Sequence, residues 1–328
     1  DRRRPGRPSD PEHPLNILVT GSSGLIGTAL VDRLLSEGHG VCRLVRGARE
    51  DTDGTRGGGP IPAEVGWDPE GGTIDLDGLD RAGPFDGAVH LAGAGVGDRR
   101  WTDKRKETVR RSRTVSTRLL AGALCRLAVR PPVLVSASAV GYYGIRGDEQ
   151  LTEASPAGTG FLVELCQAWE AAAEPAAECG IRTVRLRTGI VISGTGGALG
   201  KQLPLFRLGL GGRMGRGDQY RSWIALDDEV GAILHCLGDD ALDGPVNATA
   251  PHPATDRELA RSLGAALHRP AMVAVPAIAL RLALGREMAE ELVLGGQYVL
   301  PAALQARGYR FAQPSLDQAV RAALAPAG

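Results

Sequence analysis

The first stretch with a regular apolar pattern is Asn16-Ile17-Leu18-Val19-Thr20, a short continuous run of the kind buried on both faces of a parallel sheet. The period then changes: Leu25, Ile26, Ala29, Leu30 and Leu34 fall on one face of a helix. Gly38 follows, where a helix-terminating glycine is expected. Val41 to Val45 predicts a second strand. Further strand-like runs lie at Ala63 to Trp67, Ala88 to Ala92, Val133 to Ser138 and Thr183 to Leu186, and helical segments at 102–127 and 160–179 separate several of them. Strands alternating with helices predict an α/β fold, a doubly wound parallel sheet with helices on both faces.

Beyond about residue 190 the pattern changes. Residues 189–217 are glycine-rich and read as irregular, and 255–328 hold more helix than strand, with Leu259, Leu263 and Leu267 spaced four apart. The expected organisation is a tail over 1–14, a nucleotide-binding domain over 15–190, and a region 191–328 that is mostly a smaller C-terminal substrate lobe. Parts of 225–250 are expected to return to the first domain. The tail, DRRRPGRPSDPEHP, has no apolar periodicity and too many prolines for a helix, and the Gly- and charge-rich stretch 47–60 predicts a mobile loop.

Charge excludes some partners. Lysine plus arginine and aspartate plus glutamate number 38 each, so nothing in the balance favours nucleic acid or a membrane surface. The apolar stretch from Ala271 to Leu284 is broken by Pro276 and Arg281 and does not predict a membrane span. The N-terminus is polar and shows no secretory pattern. Five scattered cysteines, none in a CxxC pair, argue against a metal site and read as reduced thiols of a cytoplasmic protein.

Thr20-Gly21-Ser22-Ser23-Gly24-Leu25-Ile26-Gly27 sits between the first strand and the first helix. Each glycine has a physical task in a Rossmann-type dinucleotide site. Gly21 allows the tight turn, Gly24 lets backbone approach a pyrophosphate, and Gly27 lets the helix pack closely. The amides of the first helical turn then face the phosphates. The second strand ends at Arg46 with no acid for ribose hydroxyls, and a guanidinium there can pair with a 2′-phosphate, so NADP(H) is favoured over NAD(H). Arg43, on the alternate face, should point elsewhere. In His90-Leu91-Ala92-Gly93 the small residues would let backbone pass near the cofactor, while His90 itself reads as a packed strand residue.

Together with SASAVGYYG over 136–144, these motifs resemble the extended short-chain dehydrogenase/reductases. More closely, the chain resembles the epimerase family proteins, a cell-division-inhibitor-like group related to NAD-dependent epimerases and dehydratases. The likeness covers about 15–325 and includes Trp169-Glu170, GGAL at 196–199, GLGG at 209–212, Ser222-Trp223-Ile224, NATAP at 247–251 and GGQYVLP at 295–301. The resemblance implies a serine that polarises the substrate, matched by Ser138, and a YxxxK pair that passes a proton. That pair is missing: no tyrosine of this chain has lysine four residues on, and Leu162 and Cys166 stand where the pair would be. Replacement acids are Tyr143, one turn beyond Ser138, and Tyr142, which makes a YxxxR with Arg146. The alternative is that both tyrosines only line the pocket. Cys166 reads as a buried structural thiol.

The stretch Gln219 to Asp228 is similar to a segment of nucleotide-sugar epimerases in which an arginine contacts the substrate diphosphate. Arg221 matches that position; its alternative is a structural salt bridge to Asp227 or Asp228. Trp101 and Arg113 follow the fourth strand and are further candidates for substrate binding. The loop 209–217, with Arg213 and Arg216, could close on glycine hinges. The function implied is an NADP(H)-dependent oxidoreductase or epimerase acting on a small polar substrate, either anionic or nucleotide-linked. The alternative, raised by the missing YxxxK, is a non-catalytic NADP(H)-binding or sensing protein. Members of the superfamily often pair through the helices after strands four and five, which allows a homodimer.

Overall fold

A computed structural model describes residues 14–47 and 62–325. The expected tail therefore lies almost wholly, and the expected loop over 47–60 almost entirely, outside the described residues.

The chain begins β1 (Asn16–Thr20), α1 (Leu25–Ser36), β2 (Gly40–Arg46), β3 (Ala63–Asp68), β4 (Thr73–Ile74), α2 (Leu76–Ala82), β5 (Gly87–His90), α3 (Asp103–Arg126) and β6 (Val133–Ala139). A 3₁₀ turn over Val140–Tyr143 precedes β7 (Gln150–Leu151), α4 (Phe161–Ala171), α5 (Glu174–Glu178), β8 (Arg182–Thr188), β9 (Ile190–Ile192) and α6 (Gly197–Arg207). Then come β10 (Tyr220–Arg221), β11 (Trp223–Ala225), α7 (Leu226–Gly238), β12 (Gly244–Ala248), β13 (Ala254–Thr255) and α8 (Asp256–Leu267). The C-terminal part holds α9 (Ala277–Leu284), α10 (Arg286–Ala289), a π-helical turn over Glu290–Leu294, β14 (Tyr298–Val299), α11 (Ala302–Ala306) and α12 (Leu316–Leu324).

The main sheet has eight strands in the order β12-β8-β6-β5-β1-β2-β3-β4, parallel throughout except for β4 against β3. Alternation along β1 explains the layers. Ile17 and Val19 point into one core with Leu30 and Leu34 of α1 and Ile233 of α7, while Leu18 points into a second with Leu120 and Leu124 of α3. Helices therefore cover both faces, and the loops at the C-terminal strand ends form a crevice where the strand order reverses at β1.

Three expectations are corrected. The stretch 189–217 is not all irregular: Leu199, Leu203 and Phe206 repeat at helical spacing, and their burial in a third core holds α6 together despite Pro204. The segment 160–179 forms two helices rather than one, because Pro175 starts a new helix after Ala173. The cysteines are not all reduced thiols. Cys125 and Cys179, 54 residues apart in sequence, are joined as a disulfide with a Cα–Cα distance of 5.9 Å, and Cys42, Cys166 and Cys236 are free and buried. Spacing could not reveal this pair, because the packing of α3 against α5 makes it.

The C-terminal segment is tied to the sheet by polar contacts. The Asp228 carboxylate accepts the amides of Ala312 (2.6 Å) and Gln313 (2.9 Å), and Glu153 bridges the amides of Asn247 and Ala303. No helix among the described residues is long and apolar enough to cross a membrane.

Candidate active site

The turn after β1 brings the start of α1 tight against the loop. Gly21 has φ +69°, and a Cβ there would lie 2.7 Å from the Leu91 carbonyl carbon. A Cβ on Gly27 would lie 2.1 Å from the Gly21 carbonyl oxygen, so only glycine lets α1 start this close to the loop. Gly24 is the N-cap of α1, and it offers no capping side chain. The first turn also holds no acidic residue. The amides of Leu25, Ile26 and Gly27 thus keep no helical acceptor, and the positive end of the helix is uncompensated. A Cβ on Gly24 would meet only the Gly21 oxygen, at 3.3 Å, which leaves open space above it.

This turn lines a cleft of about 1220 Å³ together with the end of β2, the segment Leu91-Ala92-Gly93 and the first half of α3. Gly21, Ser22, Ser23, Gly24, Arg46, Leu91, Ala92 and Gly93 all line it. Leu25, Ile26 and Gly27 follow in the first turn of α1. Arg43 also borders the cleft, against the expectation that it points away; Glu64 on the neighbouring strand pairs with its guanidinium. Arg46 has Trp67 as its register partner on β3. Lys104 and Arg111 of α3 add two cations that the motif reading passed over. Only the helical spacing of 104, 108, 111 and 115 could have pointed to that wall. His90 is fully buried between Thr20 (2.6 Å) and Ser116 (3.4 Å), and burial lowers it to about 3, so it is a neutral packed residue as read from sequence.

The three hydroxyl residues considered for catalysis, Ser138, Tyr143 and Tyr142, are not among the residues that line the smaller cavity described next. Ser138 is buried and donates to Glu170 Oε1 at 2.7 Å. Arg187, opposite Ser138 in the β6–β8 register, donates Nε to Glu170 Oε1 (2.8 Å) and Nη2 to Oε2 (2.9 Å). Its Nη1 reaches the Tyr143 hydroxyl at 3.0 Å, and Tyr143 in turn donates to Asn247 Oδ1 at 2.7 Å. Tyr142 offers its ring face to the same guanidinium, whose carbon lies 3.4 Å from the ring centroid. Burial lifts the Tyr143 phenol above its ordinary range, against the pull of Arg187. Burial pulls Arg187 down, but Glu170 outweighs it and raises the guanidinium. Every member of this network has partners, which is the condition for a buried ion pair to persist.

The second cavity, about 190 Å³, is lined by the turn Ala139-Val140-Gly141, by α4, by Thr188-Gly189-Ile190 and by the C-terminal segment. Leu162 and Cys166 stand in it, so the helix face that the resemblance assigns to a tyrosine and a lysine is apolar here. Burial pushes the Cys166 thiol up to about 12, which keeps it protonated and inert. Arg221 lines the cavity but is committed: it pairs with Asp256 through Nε (3.1 Å) and Nη2 (3.0 Å) and donates to the carbonyls of Leu292, Val293 and Gly295. The salt-bridge alternative thus holds with Asp256, not with Asp227 or Asp228. Trp101 lies outside the lining, packed edge-on to Phe161 with ring centroids 4.7 Å apart and donating to the Val96 carbonyl. Arg113 lines the cavity, over the face of Trp169 at 4.8 Å.

The sequence reading missed Glu291. Its carboxylate accepts the amides of Phe161 (3.0 Å) and Leu162 (2.9 Å), capping α4 across 130 residues of chain. Ser222, where the similar epimerase segment has an acid, donates to the Gln297 carbonyl and accepts the Val299 amide. No local signal marks either contact, because both partners come from the distant C-terminal segment.

Comparison with known proteins agrees with this architecture. The NAD dependent epimerase/dehydratase family matches residues 17–247, and a domain of unknown function, DUF1731, matches residues 275–323. The chain is 40% identical to "Epimerase family protein Mb2239" of Mycobacterium bovis over 93% of its own length and 96% of that protein. It is also similar to the crystal structure of human epimerase family protein SDR39U1 with NADPH, at a TM-score of 0.82 and 34% identity, covering 94% of this chain and 98% of that one. The UDP-glucose 4-epimerase of Thermus thermophilus in complex with NAD shares the fold, at a TM-score of 0.69 and 20% identity over 94% of this chain and 97% of that one. On the extent of these matches, the chain belongs to the NAD dependent epimerase/dehydratase family.

Proposed function

We propose that this protein is an NADP(H)-dependent oxidoreductase or epimerase of the extended short-chain type that acts on a small polar substrate. The observation that carries the reading is the set of uncompensated amides on Leu25, Ile26 and Gly27, opening onto a cleft that also holds Arg46. The NADPH in the structure of the human relative supports the choice of cofactor. Here the α1 amides would hold the pyrophosphate and Arg46 the 2′-phosphate, while Leu91, Ala92 and Gly93 leave room for the chain between them. Bound NADP(H) supplies hydride chemistry. The small cavity beside Gly93 and α4 is then the place for substrate, with α4 and the C-terminal segment keeping water out.

Ser138, Tyr143 and Tyr142 hold β6, α4 and β8 in register in this proposal, because their polar atoms and ring faces are engaged with Glu170, Arg187 and Asn247. The apolar pair Leu162 and Cys166 favours a second reading, an NADP(H)-binding protein without turnover. Isothermal titration of apo-protein with NADPH and NADH tests the cofactor. NADPH should bind at least tenfold more tightly, and no heat from either would remove the proposal. Steady NADPH oxidation, or exchange of a substrate hydrogen without net redox change, separates the catalytic reading from the second.

A further inference from the structure

Among the described residues, one cation of the small cavity has no counter-charge. The charged lining of the cavity consists of Arg113, Arg221 and Glu291, besides the protonated Cys166 and the phenol of Tyr220. Arg221 is neutralised by Asp256. Glu291 spends both oxygens on the start of α4. Arg113 is different. Its Nη1 donates to the carbonyls of Ala94 (2.8 Å) and Val109 (3.2 Å), while Nε is shut off from water and has no acceptor among the described residues. Among the described residues no carboxylate pairs with it, and Arg105 adds a like charge. Burial lowers Arg113 only to about 10, so it remains a cation at neutral pH.

We propose that Arg113 is the anion-binding group of this cavity, and that the ligand it receives is a small carboxylate with a compact apolar body rather than a nucleoside-diphosphate sugar. This rests on the reading of the cavity as the substrate site. Three observations carry it. Nη2 of the guanidinium is left without an acceptor among the described residues, and a charge-assisted hydrogen bond from it suits a carboxylate. Trp169 covers one face of the guanidinium and holds its plane. Val96, Leu162, Leu165 and Ala139 make much of the lining apolar, and the volume of about 190 Å³ falls below the roughly 300–1,000 Å³ usual for drug-sized ligands. The arginine that would meet a diphosphate, Arg221, is already saturated by Asp256 and three carbonyls. The oxyanion could come from two sources, the substrate or the cofactor phosphate nearest Gly93, since a Cβ on Gly93 would lie 3.2 Å from the guanidinium carbon.

The test uses the full chain loaded with NADPH and titrates isobutyrate and benzoate against their uncharged amides by calorimetry. At least one acid should bind ten times or more tightly than its amide, and Arg113→Gln should erase that ratio while changing NADPH affinity less than threefold. UDP-glucose should not compete. Equal binding of acids and amides to the wild-type protein, which needs no variant to fold, overturns the proposal. So does competition by UDP-glucose. A loss of NADPH affinity beyond tenfold in Arg113→Gln, with the acid-to-amide ratio intact, overturns it in favour of the cofactor phosphate. If NADPH itself fails to bind, the functional reading fails first, and the two failures are told apart.

Discussion

Ser138 gives its hydroxyl hydrogen to Glu170 across 2.7 Å, joining the C-terminal end of β6 to the far half of α4. The same carboxylate receives Arg187 through two hydrogen bonds, with the arginine 3% and the glutamate 7% exposed. A serine at this position looks catalytic in sequence; here the Glu170 carboxylate receives its hydroxyl hydrogen.

Glu170→Gln leaves the Arg187 charge buried without its partner, and should cost about 3–5 kcal/mol of stability. Ser138→Ala should cost only about 1–2 kcal/mol, with NADPH affinity unchanged within threefold. Chemical denaturation and calorimetry on both variants check this. If Ser138→Ala kept full stability but lost turnover, the hydroxyl would belong to the chemistry after all.

The glycines of the first turn should separate by the space each one fills. Gly27→Ala drives a methyl group to within 2.1 Å of the Gly21 oxygen and should lower NADPH affinity at least tenfold. Gly38, just past the end of α1, has a positive φ, +82°, but among the described residues nothing lies within 4 Å of a Cβ there. Gly38→Ala should therefore cost stability through backbone strain alone, about 1 kcal/mol, and leave NADPH binding untouched. Equal effects of the two substitutions on binding would refute the assignment of the turn.

Arg46→Ala should weaken NADPH by roughly ten- to a hundredfold, the worth of a charge-assisted contact, and NADH by less than threefold. Arg43→Ala should discriminate less, because Glu64 already occupies its guanidinium. Parallel titrations with both cofactors measure the ratio. A common loss for NADPH and NADH would place the 2′-phosphate elsewhere, and Lys104 and Arg111 on the same cleft would be the next residues to change.

Glu229 provides the pH prediction. It is fully buried, its Oε1 accepts the Thr188 hydroxyl at 2.7 Å, and its Oε2 has no partner among the described residues. Burial raises its carboxyl from 4.5 to about 8. The native state therefore keeps a proton that the unfolded chain gives up above about 4.5, and the stabilising effect is complete below that value. It is lost as pH rises towards 8. Glu229→Gln, which carries no proton to lose, should melt at a higher temperature than wild type at pH 8 to 9, with the gap closing near pH 4.5. Melting curves across that range would show it, and a constant gap would contradict it.

Local pattern makes the sheet and the first turn legible, because each is written within one strand, one helix or one loop; of the larger cleft it shows the glycine turn, Arg46 and the 91–93 segment but not the α3 wall. β1 is legible to the residue, and β2, β3, β5, β6 and β8 to within a few. What stays hidden depends on residues far apart in sequence. Neither the Cys125–Cys179 bond, nor the Glu291 cap on α4, nor the Arg221–Asp256 pair has a spacing signature. Ser138 and Tyr143 show the same limit from the other side: the motif locates them beside the site, but only the positions of Glu170, Arg187 and Asn247 decide what their hydroxyls do.

The two recesses differ in when a growing chain can build them. Among the described residues, 21 to 115 provide the walls of the larger one, whereas the smaller needs residues from 96 to 297. A ribosome would thus have delivered the lining of the larger groove some 180 residues before Glu291, Gly295 and Gln297 emerge to wall in the smaller chamber. A polypeptide cut short before residue 291 would retain every side chain that lines the groove while lacking one side of the chamber.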